Sequence, residues 1–307
     1  MADGSGKPTS LHARAAQAGA DAARVAEAEV LERAQETAAP AAPTPSAASS
    51  KRGRKGSAFH EFTVDVWITD LNSVEFGFYK KSRNKAKSRQ FTSDMDIFAE
   101  ILQNGERTGL IGYREDLWTK KTGMDKRLVF KLFGEKLNWR ATMDMMLGRS
   151  LQLTIGARGL PISAFSINMS DYDYVAYVER SAHKWPLCPE NFSFFLVEDK
   201  RPKFYRLRQD VIDIAGDYTL YDEQDRSIGR INGAIFTLGG KWRGRVLSEH
   251  ASPHLLTVLE LFCGMLAFNR SCRKHLRKLA HDVHTGQLIP KLETQESDLY
   301  LNPRRVR

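Results

Sequence analysis

Apolar and polar residues alternate over most of the chain, and each alternating run is short. Phe62, Val64, Val66 and Ile68 alternate with Thr63, Asp65, Trp67 and Thr69, then Val74, Phe76 and Phe78 resume after Asp70-Leu71-Asn72-Ser73. This reads as a hairpin with one buried face. Phe91 to Leu102 fits a helix or a strand, and Asn104-Gly105 marks a turn. Leu110 to Trp118, Arg127 to Phe133, Ser150 to Ile155, Ile162 to Met169, Tyr172 to Val178, Phe192 to Val197 and Phe204 to Leu207 continue the series. Strands this short and this closely spaced predict a barrel or sandwich rather than parallel α/β units. From Tyr205 to Gly233 the pattern is a meander whose turns are expected at Gly216-Asp217, Glu223-Gln224-Asp225 and Asn232-Gly233, with a further hairpin from Ala234 to Leu247.

The stretch after Ser252-Pro253 breaks the alternation. Between Leu255 and Phe268 only Thr257 and Glu260 carry polar side chains, so this helix is apolar all round. Ser252 suits the N-cap and Pro253 the first helical position. A bilayer span needs roughly 20 apolar residues, and this run is shorter, so protein is the expected enclosure. Glu260 in its middle needs a cationic partner or must be neutral, and an arginine from the sheet is the expected neighbour.

Composition divides the chain. Residues 1–57 are Ala-rich with Ala38 to Ser46 interrupted by three prolines, and they read as a disordered tail ending in the basic cluster Lys51-Arg52-Gly53-Arg54-Lys55. Residues 58–272 form the expected β-rich domain, and 273–307 a basic extension in which the helix continues for a few solvated turns. Three cysteines among 307 residues make no disulfide framework and point to a reducing compartment. Met1 to Ser10 is polar and carries Asp3, so a secretory leader is not expected. The reading is cytoplasmic.

A formal net charge of +9 favours an anionic partner. The densest run is Lys80, Lys81, Arg83, Lys85, Lys87 and Arg89, six cations in ten residues with no acid among them. At an anionic leaflet each contributes roughly 1 kcal/mol; as a solvated loop the same run serves only solubility. Nucleic acid is the second candidate partner, supported by Tyr79 and Phe91 beside the run but by no recognition motif. No nucleophile elbow, phosphate-binding loop or zinc-protease motif is present, and no cofactor is expected. Cys272, His275, His281 and His284 fall on different faces of one helix and do not converge on a metal. Asp171 with Asp173, and Asp222 with Glu223 and Asp225, read as turn residues.

The order of elements, a long antiparallel region ending in one apolar helix, resembles the tubby C-terminal-like superfamily of tubby, LURP-one-related and phospholipid scramblase proteins. Leu207-Arg208-Gln209, Gly216-Asp217-Tyr218, Tyr221-Asp222-Glu223, Gly229-Arg230-Ile231 and Gly233 are similar to the LURP-one-related pattern, and Leu238 to Lys241 extends it. The resemblance implies a mainly β fold, a closed twelve-stranded antiparallel β-barrel around a buried C-terminal hydrophobic helix. It also implies a non-enzymatic protein that meets phosphoinositide or other anionic headgroups, with Lys80 to Arg89 where tubby proteins carry a basic segment. The family's lipid-contacting Lys-x-Arg after Ile-Gly is not reproduced; after Ile111-Gly112 only the displaced Arg114 is available. Scramblase-like lipid transport is a further implied alternative, against which Glu260 and the short apolar span argue.

Overall fold

The structure, a computed structural model, describes residues 58–66, 95–181, 189–210, 216–234, 240–292 and 296–297. Twelve antiparallel strands close into a barrel, each paired with its sequence neighbour, and the first strand pairs with the last to complete the ring. The strands are β1 (Phe59–Val66), β2 (Met95–Gln103), β3 (Glu106–Arg114), β4 (Val129–Gly134), β5 (Trp139–Met145) and β6 (Ala164–Met169). They continue as β7 (Ala176–Arg180), β8 (Asn191–Glu198), β9 (Arg201–Gln209), β10 (Tyr218–Tyr221), β11 (Ser227–Ala234) and β12 (Lys241–Leu247). A one-turn helix α1 (Glu115–Trp118) follows β3, α2 (Leu147–Gly156) follows β5, and α3 (Pro253–His284) follows β12.

Alternation explains the strands. On β1, Phe62, Val64 and Val66 point inward and are buried, and on β8 Phe192, Phe194 and Leu196 do the same. Asn104 and Gly105 both have positive φ, 53° and 82°, which fits the tight β2–β3 turn. Closure leaves no strand edge exposed, so the inner face needs only a plug to be dry.

Helix α3 is that plug. Its N-cap Ser252 accepts a hydrogen bond from the Leu255 amide at 3.1 Å, and Pro253 stands in the first turn. Leu255, Val258, Leu259, Leu261, Phe262 and Met265 are fully buried against the barrel. The Phe262 ring lies 5.0 Å from Phe192 and 5.3 Å from Tyr218, and Phe268 packs 5.3 Å from both Phe98 and Phe130. Each such side chain contributes about 2 kcal/mol on leaving water. The helix also passes a length and hydropathy test for a membrane span, yet 78% of the qualifying window is buried inside the protein.

Four features differ from the sequence reading. Ser150 to Ile155, expected as a strand, belongs to helix α2: Ser150 and Thr154 turn inward, and their hydroxyls bond to the carbonyls of Met146 and Ser150 at 2.7 Å, which hides them on the helix's buried side. Strand β5 went unassigned although Trp139, Ala141, Met143 and Met145 alternate with Arg140, Thr142 and Asp144. Asn232-Gly233, expected as a turn, lies within β11 opposite Arg243 and Trp242 of β12. Helix α3 continues through residue 272 to His284, and Cys272, Leu276, Leu279 and Ala280 are buried, so its second half packs rather than protruding. The expected turns hold at Gly216, with φ of 76°, and at Asp222 to Asp225, where Asp222 Oδ1 accepts from the amides of Gln224 and Arg226. The segment of the expected hairpin from Val74 to Phe78, the tail, and the basic runs at 51–55 and 80–89 lie outside the described residues.

Candidate functional site

Antiparallel pairing fixes which ends of the strands share a rim. The starts of β2, β4, β6, β8, β10 and β12 and the ends of β1, β3, β5, β7, β9 and β11 form one rim of the barrel. Helix α3 enters at the opposite rim, where the His254 ring packs at a tilt against Tyr172 at 4.8 Å, and leaves through this one. At the exit, a cavity of about 670 Å³ opens between α3 and the β7–β12 side of the rim.

Four arginines line it: Arg180 from the end of β7, and Arg270, Arg273 and Arg277 from α3. Spacings of three and four residues place the helical three on one face. Among the described lining residues only Glu190 is acidic, so these carry a net charge of +3. Glu190 is buried beneath the arginines and is heavily engaged. Its carboxylate accepts from Asn269 Nδ2 at 2.6 Å, Arg273 Nη1 at 2.6 Å and Tyr218 Oη at 3.1 Å, and forms an ion pair with Arg180 Nη2 at 3.2 Å. Arg180 also donates to the Pro161 carbonyl at 2.6 Å. Burial and the neighbouring carboxylate push the Tyr218 phenol well above its ordinary pKa, so it donates across the whole physiological range. Burial lowers the Arg180 pKa and Glu190 acts against that; the guanidinium stays charged.

This cluster leaves donors and acceptors over. Arg180 Nε, Arg273 Nε and Asn269 Oδ1 are buried without a hydrogen-bond partner. Arg270 and Arg277 are exposed to the cavity and make no hydrogen bond or ion pair among the described residues. Trp242, Leu160 and Leu266 supply apolar wall. Outside the cavity, α3 adds Lys274 and Lys278, both exposed.

Of the residues singled out from sequence, Arg114 sits at the end of β3 on this same rim, but its Nε and Nη2 form a fork on the Asp116 carboxylate at 2.7 Å each. That pair holds the Asp116 carboxyl below its ordinary pKa. Lys80, Lys81, Arg83, Lys85, Lys87 and Arg89 lie outside the described residues, yet the residues on either side of their segment, Val66 ending β1 and Met95 opening β2, both belong to the exit rim. In sequence Arg273 and Arg277 are legible only as part of a basic extension, and Arg270 is not singled out; that the three face one cavity follows from the helix running on past residue 272.

Glu260 meets the expected sheet arginine. Arg140 Nη1 of β5 lies 3.3 Å from Glu260 Oε2, an ion pair without hydrogen-bond alignment, and neither carboxylate oxygen has a hydrogen-bond partner. Arg140 instead donates through Nη2 to Thr257 Oγ1 at 3.1 Å. Complete burial raises the Glu260 pKa to about 7, with Arg140 pulling the other way. Cys272 is buried with its thiol pushed up to about 12 by burial, and His275 faces the Lys126 carbonyl and the Trp118 ring. Comparison with protein-family models, with curated proteins and with solved structures finds no match to this chain.

Proposed function

We propose that the protein is a non-enzymatic peripheral membrane or adaptor protein that meets anionic phospholipid headgroups with the exit rim of its barrel, and that its scaffold is of the tubby C-terminal-like kind. A closed twelve-stranded antiparallel barrel plugged by a C-terminal helix supports the kinship. One observation carries the function: the basic face of α3 leaves the barrel at a single end. Arg270, Lys274, Arg277 and Lys278 leave the barrel there on α3 beside the Glu190-paired Arg273, with no acid between them, and Val66 and Met95, which bound the stretch of sequence bearing Lys80 to Arg89, belong to the same rim. A surface with that polarity orients toward a negatively charged leaflet and binds in a salt-dependent way. Glu260 and the enclosed apolar span oppose lipid transport through an inserted helix.

Vesicle flotation tests this reading. The whole chain is expected to float with vesicles containing phosphoinositide or phosphatidylserine, to stay behind with neutral vesicles, and to be released by about 0.5 M salt. Neutralising Lys80, Lys81, Arg83, Lys85, Lys87 and Arg89 together, or Arg270, Lys274, Arg277 and Lys278 together, should each weaken flotation at least fivefold. Flotation indifferent to both sets excludes the rim. Retention on RNA that survives vesicle competition would assign the charge to nucleic acid instead.

A further inference from the structure

The surface reading accounts for charge at the exit rim but not for a cavity there. A flat leaflet is served by exposed lysines and arginines on a convex face. Here about 670 Å³ is recessed between the helix and the strand ends, with guanidinium groups on two walls and indole and leucine side chains on another. We infer that the exit-rim cavity is a discrete binding site for a compact molecule carrying two phosphate groups, held by Arg270 and Arg277 with Arg273 and Arg180 behind them. The inference rests on the reading of this rim as anion-recognising.

The spacing defines the ligand class. Arg270 and Arg277 are seven residues apart on α3, so their Cα atoms lie on the same side of the helix and about 10.5 Å apart along its axis. From Cα positions that far apart on one face, two long arginine side chains reach two phosphates, each taken in a forked, bidentate manner, one at each end of a small ring or short chain. Arg273 lies between them and Arg180 across from them, and both are anchored by Glu190. That anchoring fixes their direction, while each keeps a buried Nε without a partner. Asn269 Oδ1, also buried and unpartnered, can accept from a hydroxyl of the ligand body. Trp242, Leu160 and Leu266 offer the apolar surface against which that body lies. A single phosphate would use one of the two outer arginines and leave the other unneutralised; two phosphates use both.

Titration calorimetry on the whole chain, with Trp242 fluorescence as a second readout, tests the site. The soluble probes are fructose 1,6-bisphosphate and inositol 1,4-bisphosphate, set against fructose 6-phosphate and inorganic phosphate. At least one bisphosphate should bind ten times or more tighter than both monophosphate probes, and Arg270→Gln or Arg277→Gln should each erase that preference. Both side chains are exposed, so neither variant disturbs the fold, and an unchanged melting temperature confirms it. Equal affinities for all probes, or a preference that survives both arginine substitutions, overturns the inference. A vesicle arm separates the sources of the phosphates: if vesicles bearing a bisphosphorylated inositol lipid float the chain and the soluble bisphosphates displace it, the headgroup itself occupies the cavity. If vesicles float the chain and no bisphosphate binds or competes, the discrete site is wrong while the surface reading stands. If bisphosphates bind with the stated preference and no vesicle does, the surface reading fails and the site remains.

Discussion

Glu260 shows how one side chain inside an apolar helix sets a measurable property. Its carboxyl is fully buried, faces Arg140 at 3.3 Å, and has its pKa raised from 4.5 to about 7. Between those two values the folded state holds more protons than the unfolded one, so stability falls as pH rises through the window, by about 1.36 kcal/mol per unit at most. The total is about 3 kcal/mol, fully present below pH 4.5 and lost by pH 7 and above. Glu260→Gln removes the titration with little change of volume, and Arg140, at 32% exposed, reaches water when its partner is gone. The difference in urea midpoint between variant and parent should therefore favour the variant increasingly from pH 5 to pH 8. A difference that stays constant across that range rules out the buried-acid account. The need for an arginine near Glu260 is legible in sequence, because an acid in an apolar helix must be answered. Which arginine is not, since Arg140 sits on the strand that the sequence reading left unassigned.

At the scale of elements, strand β12 and its neighbours show where sequence runs out. Alternation identifies β1, β8 and β9 because each buries one face, whereas β4 is legible as a short apolar run buried on both. It inserts a turn into β11 because Asn232-Gly233 has the composition of a turn while its backbone is held in the ladder opposite Arg243 and Trp242. It takes α2 for a strand because Ser150 and Thr154 satisfy their hydroxyls on backbone carbonyls, a contact that no periodicity records. Gly244 carries a constraint of the same hidden sort. It lies opposite Phe62 in the β1–β12 ladder, and a Cβ there would stand 2.1 Å from the Phe62 ring. Phe62 is itself buried in the core, so the ring has nowhere to go. Gly244→Ala is expected to destabilise the protein by about 2 kcal/mol through overpacking. Phe62→Leu combined with Gly244→Ala should cost less than the two single changes summed, because the smaller side chain frees the space that the methyl takes. Additive losses in chemical denaturation would show that the two residues do not meet.

Closure belongs to the whole molecule. The barrel is completed by the first described strand pairing with the last, from Phe59 opposite Leu247 to Asp65 opposite Lys241, and Lys241 Nζ pairs with Asp65 Oδ2 at 2.9 Å. Until β1 arrives, β2 and β12 both present unpaired edges and α3 has an open side, so residues far apart in sequence must meet before the apolar helix is dry. The barrel lies wholly within residues 56–307. A chain that begins at Gly56 should accordingly stay soluble and melt cooperatively. One that begins at Met95 loses only β1 and the connection to β2, yet it should bind a hydrophobic dye strongly, lose its cooperative transition and associate through the exposed edges. The contrast tests more than stability. If the chain lacking β1 still melts sharply and binds no dye, then α3 is shielded without a closed ring, and an exit rim defined by ring closure could not position Arg180 opposite Arg270, Arg273 and Arg277.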